Sequence, residues 1–460
     1  MFAKVAIANR GAVAARLVRV LRTLGVKSLA LCSEADRDLP YVAEADEFAV
    51  LGPPPPAASY LNRQAVLDAA VAAGADAVHP GWGFLSEDAE FARLAAARGL
   101  VFIGPSPHWL GVMGDKPVAR RVMAEEGFPA APATGELVGT LEERAAAAAA
   151  LGFPLMIKPA GGGGGIGMAA VEAPEKLLKA LEAAESLALR GFGRGAVYAE
   201  RLLRRPRHVE FQIVANGRGG NFHLFERDCS VQRRRQKVLE EAGAPALDRA
   251  ELDLTARKAA EALGRLGYDH LGTVETLHDP QVGFSFLEVN PRLQVEHAVT
   301  EETTGVDLVA LQLRLAAGEP WADLAGLRPS APEGHALEAR IYAEDSLRFL
   351  PSPGRLKVFR PPKMPGLRLE TGYREGATVT PFYDPMIAQV VVKAPDRASA
   401  LRQMDEALAA FVVEGVKTNI GFARAMLRHE PFVAGRLHTG LAEELIAQPA
   451  YKDELAALSS

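Results

Sequence analysis

MIKPAGGGGGIGMAA, residues 156–170, sets five consecutive glycines behind an apolar segment that ends in Lys158. Ordering such a run is costly, because glycine loses the most backbone entropy on folding. A flexible linker would carry serine and other polar neighbours. Here a strand-like stretch, FPLMIKPA, leads in and MAAVEA leads out, so the run reads as the loop of a covering hairpin. Glycine lets backbone N–H groups approach an anion closely, and the lysine adds a point charge. The arrangement suits a triphosphate, although the Walker string G-x-x-x-x-G-K-[ST] is absent.

Outward from that loop, an Ala-rich helix (LEERAAAAAALG) precedes it, and a helix (PEKLLKALEAAESLALRG) and a strand (AVYAERLL) follow. Together they predict a small α+β lid closing near Leu203. Towards the N-terminus the texture differs. KVAIAN, KSLALCS, DAVHP and LVFIGP read as strands alternating with the helices AARLVRVLRTLG, QAVLDAAVAAGA and EDAEFARLAAARG. That alternation predicts a parallel, doubly wound α/β sheet. Its strand ends carry NRG, residues 32–38 and HPGWGFLSE, where such sheets bind ligands. Residues 1–33 hold no Asp or Glu and several arginines, a transit-peptide composition, but the βαβ pattern reads as the start of a fold. Beyond the lid, HVEFQIVA, FHLFERDCS, GTVETL and FSFLEVN predict antiparallel strands, with helices at 251–266 and 306–317. LKVFR, PMIAQVVVKA and the helix ASALRQMDEALAAFVV complete the tail.

The 460 residues suggest about three domains of roughly 150 residues each. A net charge of −5 argues against a general nucleic-acid or anionic-membrane surface. Two cysteines, Cys32 and Cys229, are too few for a disulfide framework and suit a reducing cytoplasm. No apolar run approaches the roughly 20 residues that span a bilayer.

Three groupings carry chemistry. In GTVETL…FSFLEVNPR, strand alternation puts Glu288 and Asn290 on one face, with Leu287 and Val289 on the other. A hairpin symmetric about HDPQVG places Glu275 opposite Glu288. Opposed glutamates repel and ask for a cation, and two carboxylates with an amide oxygen suit Mg²⁺. Lys116, Lys158 and Lys237 are spaced lysines fit for phosphates. In NPRLQVEHAVTE, Arg292, Gln294, Glu296 and His297 follow the candidate metal strand directly. There an arginine can fork onto a planar oxyanion beside a carboxylate able to act as base. LPSPG marks a turn, and His208 and His335, taken singly, read as structural.

ANRG, HPGWGFLSE, MGDK, KPAGGGGGIGM, RHVEFQ, ERDCSVQRR, EVNPRLQVEH and TGVDL, in this order, resemble the biotin carboxylases of the ATP-grasp superfamily, from about residue 3 to about 445. The resemblance implies an α/β protein with a Rossmann-like N-terminal domain (1–113). An ATP-grasp small subdomain (114–204) with a mobile lid at about 131–203 follows. The large subdomain (205–330), a mixed C-terminal domain (331–446) and a tail (447–460) complete it. It implies that ATP phosphorylates bicarbonate to carboxyphosphate, which yields the CO2 that biotin N1′ captures. Glu275, Glu288 and Asn290 fall at Mg²⁺ (or Mn²⁺) positions. Lys116, Lys158 and Lys237 fall at phosphate positions, while Gly163, Gly164, Gly165, Met168, Glu200, Leu203, His208, Gln232 and Leu277 fall at nucleotide positions. Arg292, Gln294 and the Val295 backbone would hold bicarbonate, Glu296 would be the base kept ionised by Arg292, and Arg340 would stabilise the biotin enolate. Trp82 falls near the biotin pocket. No Ala-Met-Lys-Met string is present, so biotin would arrive on a separate carrier protein, with carboxyltransferase partners. Arg16 and Arg19 lie on the helix that the family's dimers use.

Five positions depart from the family pattern: Ile166 for arginine in the glycine loop, Arg235 for histidine, Ala12 for glutamate, Trp82 for tyrosine and Gln389 for lysine. Those departures motivate one competing reading, a catalytically dead ATP-binding scaffold. A second is a different ATP-grasp ligase with an amine acceptor.

Overall fold

Strands β1 (Lys4–Ile7), β2 (Lys27–Cys32), β3 (Glu47–Val50), β4 (Ala77–His79) and β5 (Val101–Phe102) form a parallel sheet in the order β3-β2-β1-β4-β5. The computed structural model containing them describes residues 1–161 and 167–459. Gly163, Gly164, Gly165 and Ile166 therefore lie outside the described residues. Chain order reverses between β1 and β4, so the loops after these strands flank one crevice. They are tied together: Asn9 Nδ2 donates to the carbonyls of Pro80 (2.6 Å) and Trp82 (2.7 Å). Gly81 sits at φ +63°, and a Cβ there would meet Val13 Cγ2 at 2.8 Å, so only glycine lets the two loops close.

The lid sheet is β7-β6-β8, with β6 (Leu155–Pro159) central between β7 (Ala169–Val171) and β8 (Val197–Arg201). Helix Leu141–Ala149 starts with a capping box, Thr140 and Glu143 satisfying each other's backbone N–H. This helix, helix Leu177–Phe192 and the sheet close over their own apolar cluster, which includes Leu155, Ile157, Leu181 and Ala184.

A third sheet of eight antiparallel strands spans the remaining chain. It contains β9 (Arg207–Ala215), β10 (Asn221–Arg233), β11 (Gln236–Ala242), β12 (Leu271–Asp279), β13 (Gly283–Asn290) and β14 (His335–Tyr342). Two short pairs lie apart from it, β15 (Gly354–Arg355) with β18 (Thr378–Val379) and β16 (Val358–Arg360) with β20 (Val412–Glu414). With β17 (Leu367–Glu370) and β19 (Met386–Ala394) the sheet runs β13-β12-β9-β10-β11-β14-β19-β17. The sequence reading contains neither β11 nor β14. Both interleave glutamates with apolar residues, yet every β14 residue and most of β11 are buried, so the charges mask a core strand.

Alternation explains how this sheet makes a site. On β9, Val209, Phe211 and Ile213 pack with Leu252, Ala256 and Leu263 of helix Arg249–Leu266. The intervening His208, Glu210 and Gln212 face the other side and are equally buried. A sheet that buries its polar face has put that face inside a site.

Candidate active site

The β12–β13 hairpin pairs Glu275 with Glu288, the register expected from the sequence. Two lysines meet the repulsion between them: Lys237 Nζ lies 2.8 Å from Glu275 Oε1, and Lys116 Nζ lies 2.8 Å from Glu288 Oε2. Lys116 opens helix Lys116–Glu125 behind the cap Asp115, and its backbone N–H donates to Ala160 O at the base of the glycine loop (3.1 Å). Asn290 Nδ2 donates to Glu275 Oε1 (2.8 Å). The register shifts between Glu275 and Thr276, which faces Phe286, leaving Leu287 bulged. Leu287 therefore lines the cavity beside Glu288 and does not point away with Val289, because a bulge re-aims the extra residue.

Lys237 is the centre of charge. Its ammonium lies 2.6 Å from Glu210, 2.8 Å from Glu275 and 2.5 Å from Glu296. Burial works against it, but Glu210, Glu275 and Glu296 hold it well above the ordinary lysine value. Each carboxylate has a second cation. Arg227 Nε is 2.6 Å from Glu210, Arg340 Nη2 is 2.9 Å from Glu296, and His208 Nε2 is 3.1 Å from Glu275. Burial opposes protonation of His208, yet Glu275 outweighs it and lifts the imidazole to about 9. Gln232 Nε2 reaches His208 Nδ1 at 2.9 Å.

Burial pushes Glu296 up, but Lys237, Arg340 and Arg227 bring it below the ordinary carboxylate range. Arg292, expected from the sequence to keep Glu296 ionised, also feels the Glu296 charge but stands behind these three cations. Arg292 is taken by Glu87 (Nε to Oε1, 2.5 Å) and donates to Gln294 Oε1 and Asn290 Oδ1, both at 3.0 Å. Gln294 Nε2 lies 3.3 Å from Glu275 Oε1, and Val295 O accepts from Gln389 Nε2 at 2.7 Å.

One cavity of about 390 Å³ collects nearly all of the sequence-predicted residues: Lys116, Lys158, Met168, Glu200, Leu203, His208, Gln232, Lys237, Glu275, Leu277, Glu288, Asn290, Arg292, Gln294, Val295, Glu296 and Arg340. Lys158 and Glu200 form an ion pair across the lid sheet. Burial outweighs Glu200 there and lowers the Lys158 ammonium. Trp82 lines an adjoining cavity of about 380 Å³, which meets the first at Val295, Arg340, Tyr342 and Asp384. Gly163, Gly164 and Gly165 are outside the described residues. Sequence reasoning missed Glu210, Met156 and Leu287. Counting two back from Lys158 on a strand would have found Met156.

The β10–β11 connection is a two-residue turn at the cavity edge. Gln232 pairs with Lys237 and Arg233 with Gln236, leaving Arg234 (φ +50°) and Arg235 (φ +67°) at the tip. Both are left-handed without being glycine, a costly backbone for bulky side chains. Arg235 Nη2 reaches Met156 Sδ of the lid at 3.9 Å.

Two carboxylates opposed across a ladder are hard oxygen donors that fit Mg²⁺ or Mn²⁺ better than a soft metal, with Asn290 turning its Nδ2 to Glu275 and its Oδ1 to Arg292.

Comparison with known proteins agrees with this geometry. The chain matches the family profile "Biotin carboxylase, N-terminal domain" over residues 1–110, "Carbamoyl-phosphate synthase L chain, ATP binding domain" over 115–324 and "Biotin carboxylase C-terminal domain" over 338–444. It is 45% identical over 441 residues to the biotin carboxylase of Halalkalibacterium halodurans, covering 95% of this chain and 97% of that one. A biotin carboxylase–beta-gamma-ATP complex from Campylobacter jejuni superposes with a TM-score of 0.92 at 38% identity, over 96% of this chain and 99% of the other. The biotin carboxylase domain dimer of the Hydrogenobacter thermophilus 2-oxoglutarate carboxylase, with MgADP, ADP and bicarbonate, also gives 0.92, at 36% identity over 98% of each chain. A parallel N-terminal sheet, an ATP-grasp lid and sheet, and matches along nearly the whole length leave one assignment: the chain belongs to the biotin carboxylase family.

Proposed function

We propose that the chain carboxylates biotin on a separate carrier protein, using ATP and bicarbonate through carboxyphosphate, as the biotin carboxylase component of a multi-subunit carboxylase. The observation that carries this reading is Glu296, buried and held ionised in the first cavity by Lys237 and by Arg340, which stands at the junction with the second.

Phosphoryl transfer asks mainly for positioning and charge neutralisation. Lys116, Lys158 and Lys237 supply fixed positive charge along the triphosphate. Met168, Glu200, Leu203, His208, Gln232 and Leu277 wall the nucleotide. Glu275, Glu288 and Asn290 would hold Mg²⁺ or Mn²⁺, which when bound neutralises phosphate charge. Arg292, Gln294 and the Val295 backbone orient bicarbonate so that Glu296 takes its proton and an oxygen attacks the γ-phosphate, breaking its bond to the departing ADP. The carboxyphosphate formed breaks into CO2, beside the second cavity, and phosphate, which takes the proton from biotin N1′. Biotin N1′ captures the CO2 there, against Trp82, while Arg340 stabilises the enolate oxygen. A lid that excludes water would protect carboxyphosphate from hydrolysis.

The domain division at 113, 204, 330 and 446 belongs to this reading, as do a homodimer, a biotin carboxyl carrier protein and carboxyltransferase partners. Within the chain Arg16 pairs with Asp307 (2.6 Å) and Arg19 with Glu370, which orients the helix assigned to the dimer contact. A cytoplasmic location goes with it, supported by two free, buried cysteines. No helix among the described residues is long and apolar enough to cross a membrane. An amine-acceptor ligase and a dead scaffold are not favoured, because Glu296, Arg340 and the charge cluster are intact.

Bicarbonate-dependent ATP hydrolysis stimulated by free biotin tests the assignment. Folded protein that binds ATP but shows no such activity would overturn it.

A further inference from the structure

Behind Arg340 lies a pair of carboxyls that the proposed reaction does not use. Glu240 on β11 and Glu338 on β14 are directly opposed in register and fully buried. Opposed side chains on a ladder have Cβ atoms about 4.5–5.5 Å apart, where two like charges are destabilising. Arg340 Nε lies 2.6 Å from Glu240 Oε1, while its Nη2 serves Glu296. Lys237 is engaged by Glu210, Glu275 and Glu296. Among the described residues no cation pairs with Glu338. Its one partner is a neutral amide, Gln389 Nε2, donating to Oε1 at 2.7 Å.

The hydrogen bonds give the same count. Among the described residues Glu338 Oε2 and Glu240 Oε2 are buried without a hydrogen-bond partner, while Glu240 Oε1 has only the Arg340 ion pair. Buried acceptors left this way are costly. One proton on Glu338 Oε2, directed at Glu240, would satisfy both residues at once.

Among the described residues no other packed element supplies a countercharge. Helix His297–Thr304 covers this face through Ala298 and Val299 against Ala242, Ala336 and Val391. Its His297 is kept neutral, burial above all lowering it to about 3, and its Glu301 and Glu302 are held by Arg368. On β17 Glu370 faces Gln389 but is taken by Arg19 and Arg368. The opposite face packs apolar residues, Leu337, Val390, Met404 and Leu408 among them.

We propose that Glu240 and Glu338 share a single proton, held on Glu338, and that this proton positions Arg340 by limiting the negative charge behind it. Burial raises both carboxyls, Glu338 beside Glu240 well above the ordinary range and Glu240 beside Arg340 only to about 7, in line with a proton held on Glu338. When the pair loses its proton, a second charge behind Arg340 draws the guanidinium back from the cavity. Glu240 and Glu338 are thus positioning residues. The positioning half rests on the reading of Arg340 as the biotin-facing group, whereas the shared proton does not.

Infrared spectroscopy of the full chain separates the two. Wild type at pH 7 should show the carbonyl stretch of a buried protonated carboxyl. Glu338→Gln should lack it, because its amide donates to Glu240 in place of the acid. Gln389→Lys should also lack it, because an ammonium there neutralises Glu338 directly. No such band in wild type, or an unchanged band in Glu338→Gln, overturns the shared proton. In kinetics, the wild-type KM for free biotin should rise by roughly tenfold as the band titrates away at alkaline pH, one pKa unit's worth of interaction with the added charge. Glu338→Gln should keep a flat KM and near-normal kcat. Identical pH profiles in wild type and Glu338→Gln overturn the positioning role even if the band behaves as expected. Absence of biotin-dependent turnover in every variant would count against the function while leaving the infrared result readable.

Discussion

Replacing Glu296 by glutamine removes one charge and almost no volume, so the effect can be worked from the contacts around it. The carboxylate accepts from Lys237 at 2.5 Å and from Arg340 at 2.9 Å. A glutamine has one acceptor oxygen, so it can satisfy one of these cations and must turn its NH2 towards the other. That donor-to-donor contact costs about 1–3 kcal/mol of stability. The cations are not orphaned: Lys237 keeps Glu210 and Glu275, and Arg340 keeps Glu240. The variant should therefore fold, with a lowered melting temperature. Its chemistry should fail. A general base contributes about 10²–10⁴-fold, equal to roughly 3–5 kcal/mol at 1.36 kcal/mol per tenfold. Bicarbonate-dependent ADP release should fall by that factor with and without biotin, while calorimetry finds ATP affinity little changed. Because Lys237 and Arg340 hold the Glu296 carboxyl below the ordinary range, wild-type activity should not lose this base until the pH drops below that range. Turnover within about threefold of wild type, far short of the roughly 10²-fold floor for a base, would refute the assignment.

Glu288→Gln should raise the Mg²⁺ concentration needed for half-maximal ATPase activity by about tenfold or more, since one of two opposed ligands loses its charge; an unchanged titration would move the metal elsewhere. Trp82→Ala should raise the KM for free biotin by roughly tenfold, about 1.4 kcal/mol of lost aromatic contact. An equal loss of bicarbonate-dependent turnover without biotin would mean that Trp82 does not serve biotin alone. Arg235→His should raise the KM for ATP if Arg235, which reaches Met156 of the lid, supplies charge missing from the glycine loop; an unchanged or lower KM refutes that. Ile166→Arg should lower the KM for ATP, and no effect would mean that the loop backbone does the holding.

Local periodicity made much of this legible. The Glu275–Glu288 pairing follows from counting outward from a turn, and the parallel sheet follows from strands alternating with helices. Lys158 could be placed at the tip of a buried strand. What escaped were contacts between distant segments. Glu210 sits in HVEFQIVA, whose alternation matches a half-solvated strand, and nothing local reveals that its polar face is buried against Lys237. Lys116 and Glu288 are far apart in the chain, so their ion pair is invisible before folding. Strands β11 and β14 carry glutamates and an arginine whose burial depends on counter-charges from neighbouring strands. Leu287 was assigned the wrong face because one bulge breaks the period of two. Arg292 was expected to ionise Glu296 on proximity in sequence; in space it pairs with Glu87, and Lys237, Arg340 and Arg227 carry most of that task.

Surface turns are where protein chains ordinarily accept insertions and deletions. The Arg234–Arg235 turn is an exception for a reason unrelated to its own side chains. Lys237 lies two residues beyond it, and the turn's length fixes which face of β11 that lysine occupies. One residue gained or lost that slipped the pairing by a single step would carry Lys237 to the far side of the sheet, away from Glu210, Glu275 and Glu296. Three buried carboxylates would then share the remaining cations. The length of this hairpin is therefore an electrostatic quantity: it sets where a positive charge sits as surely as the choice of lysine does.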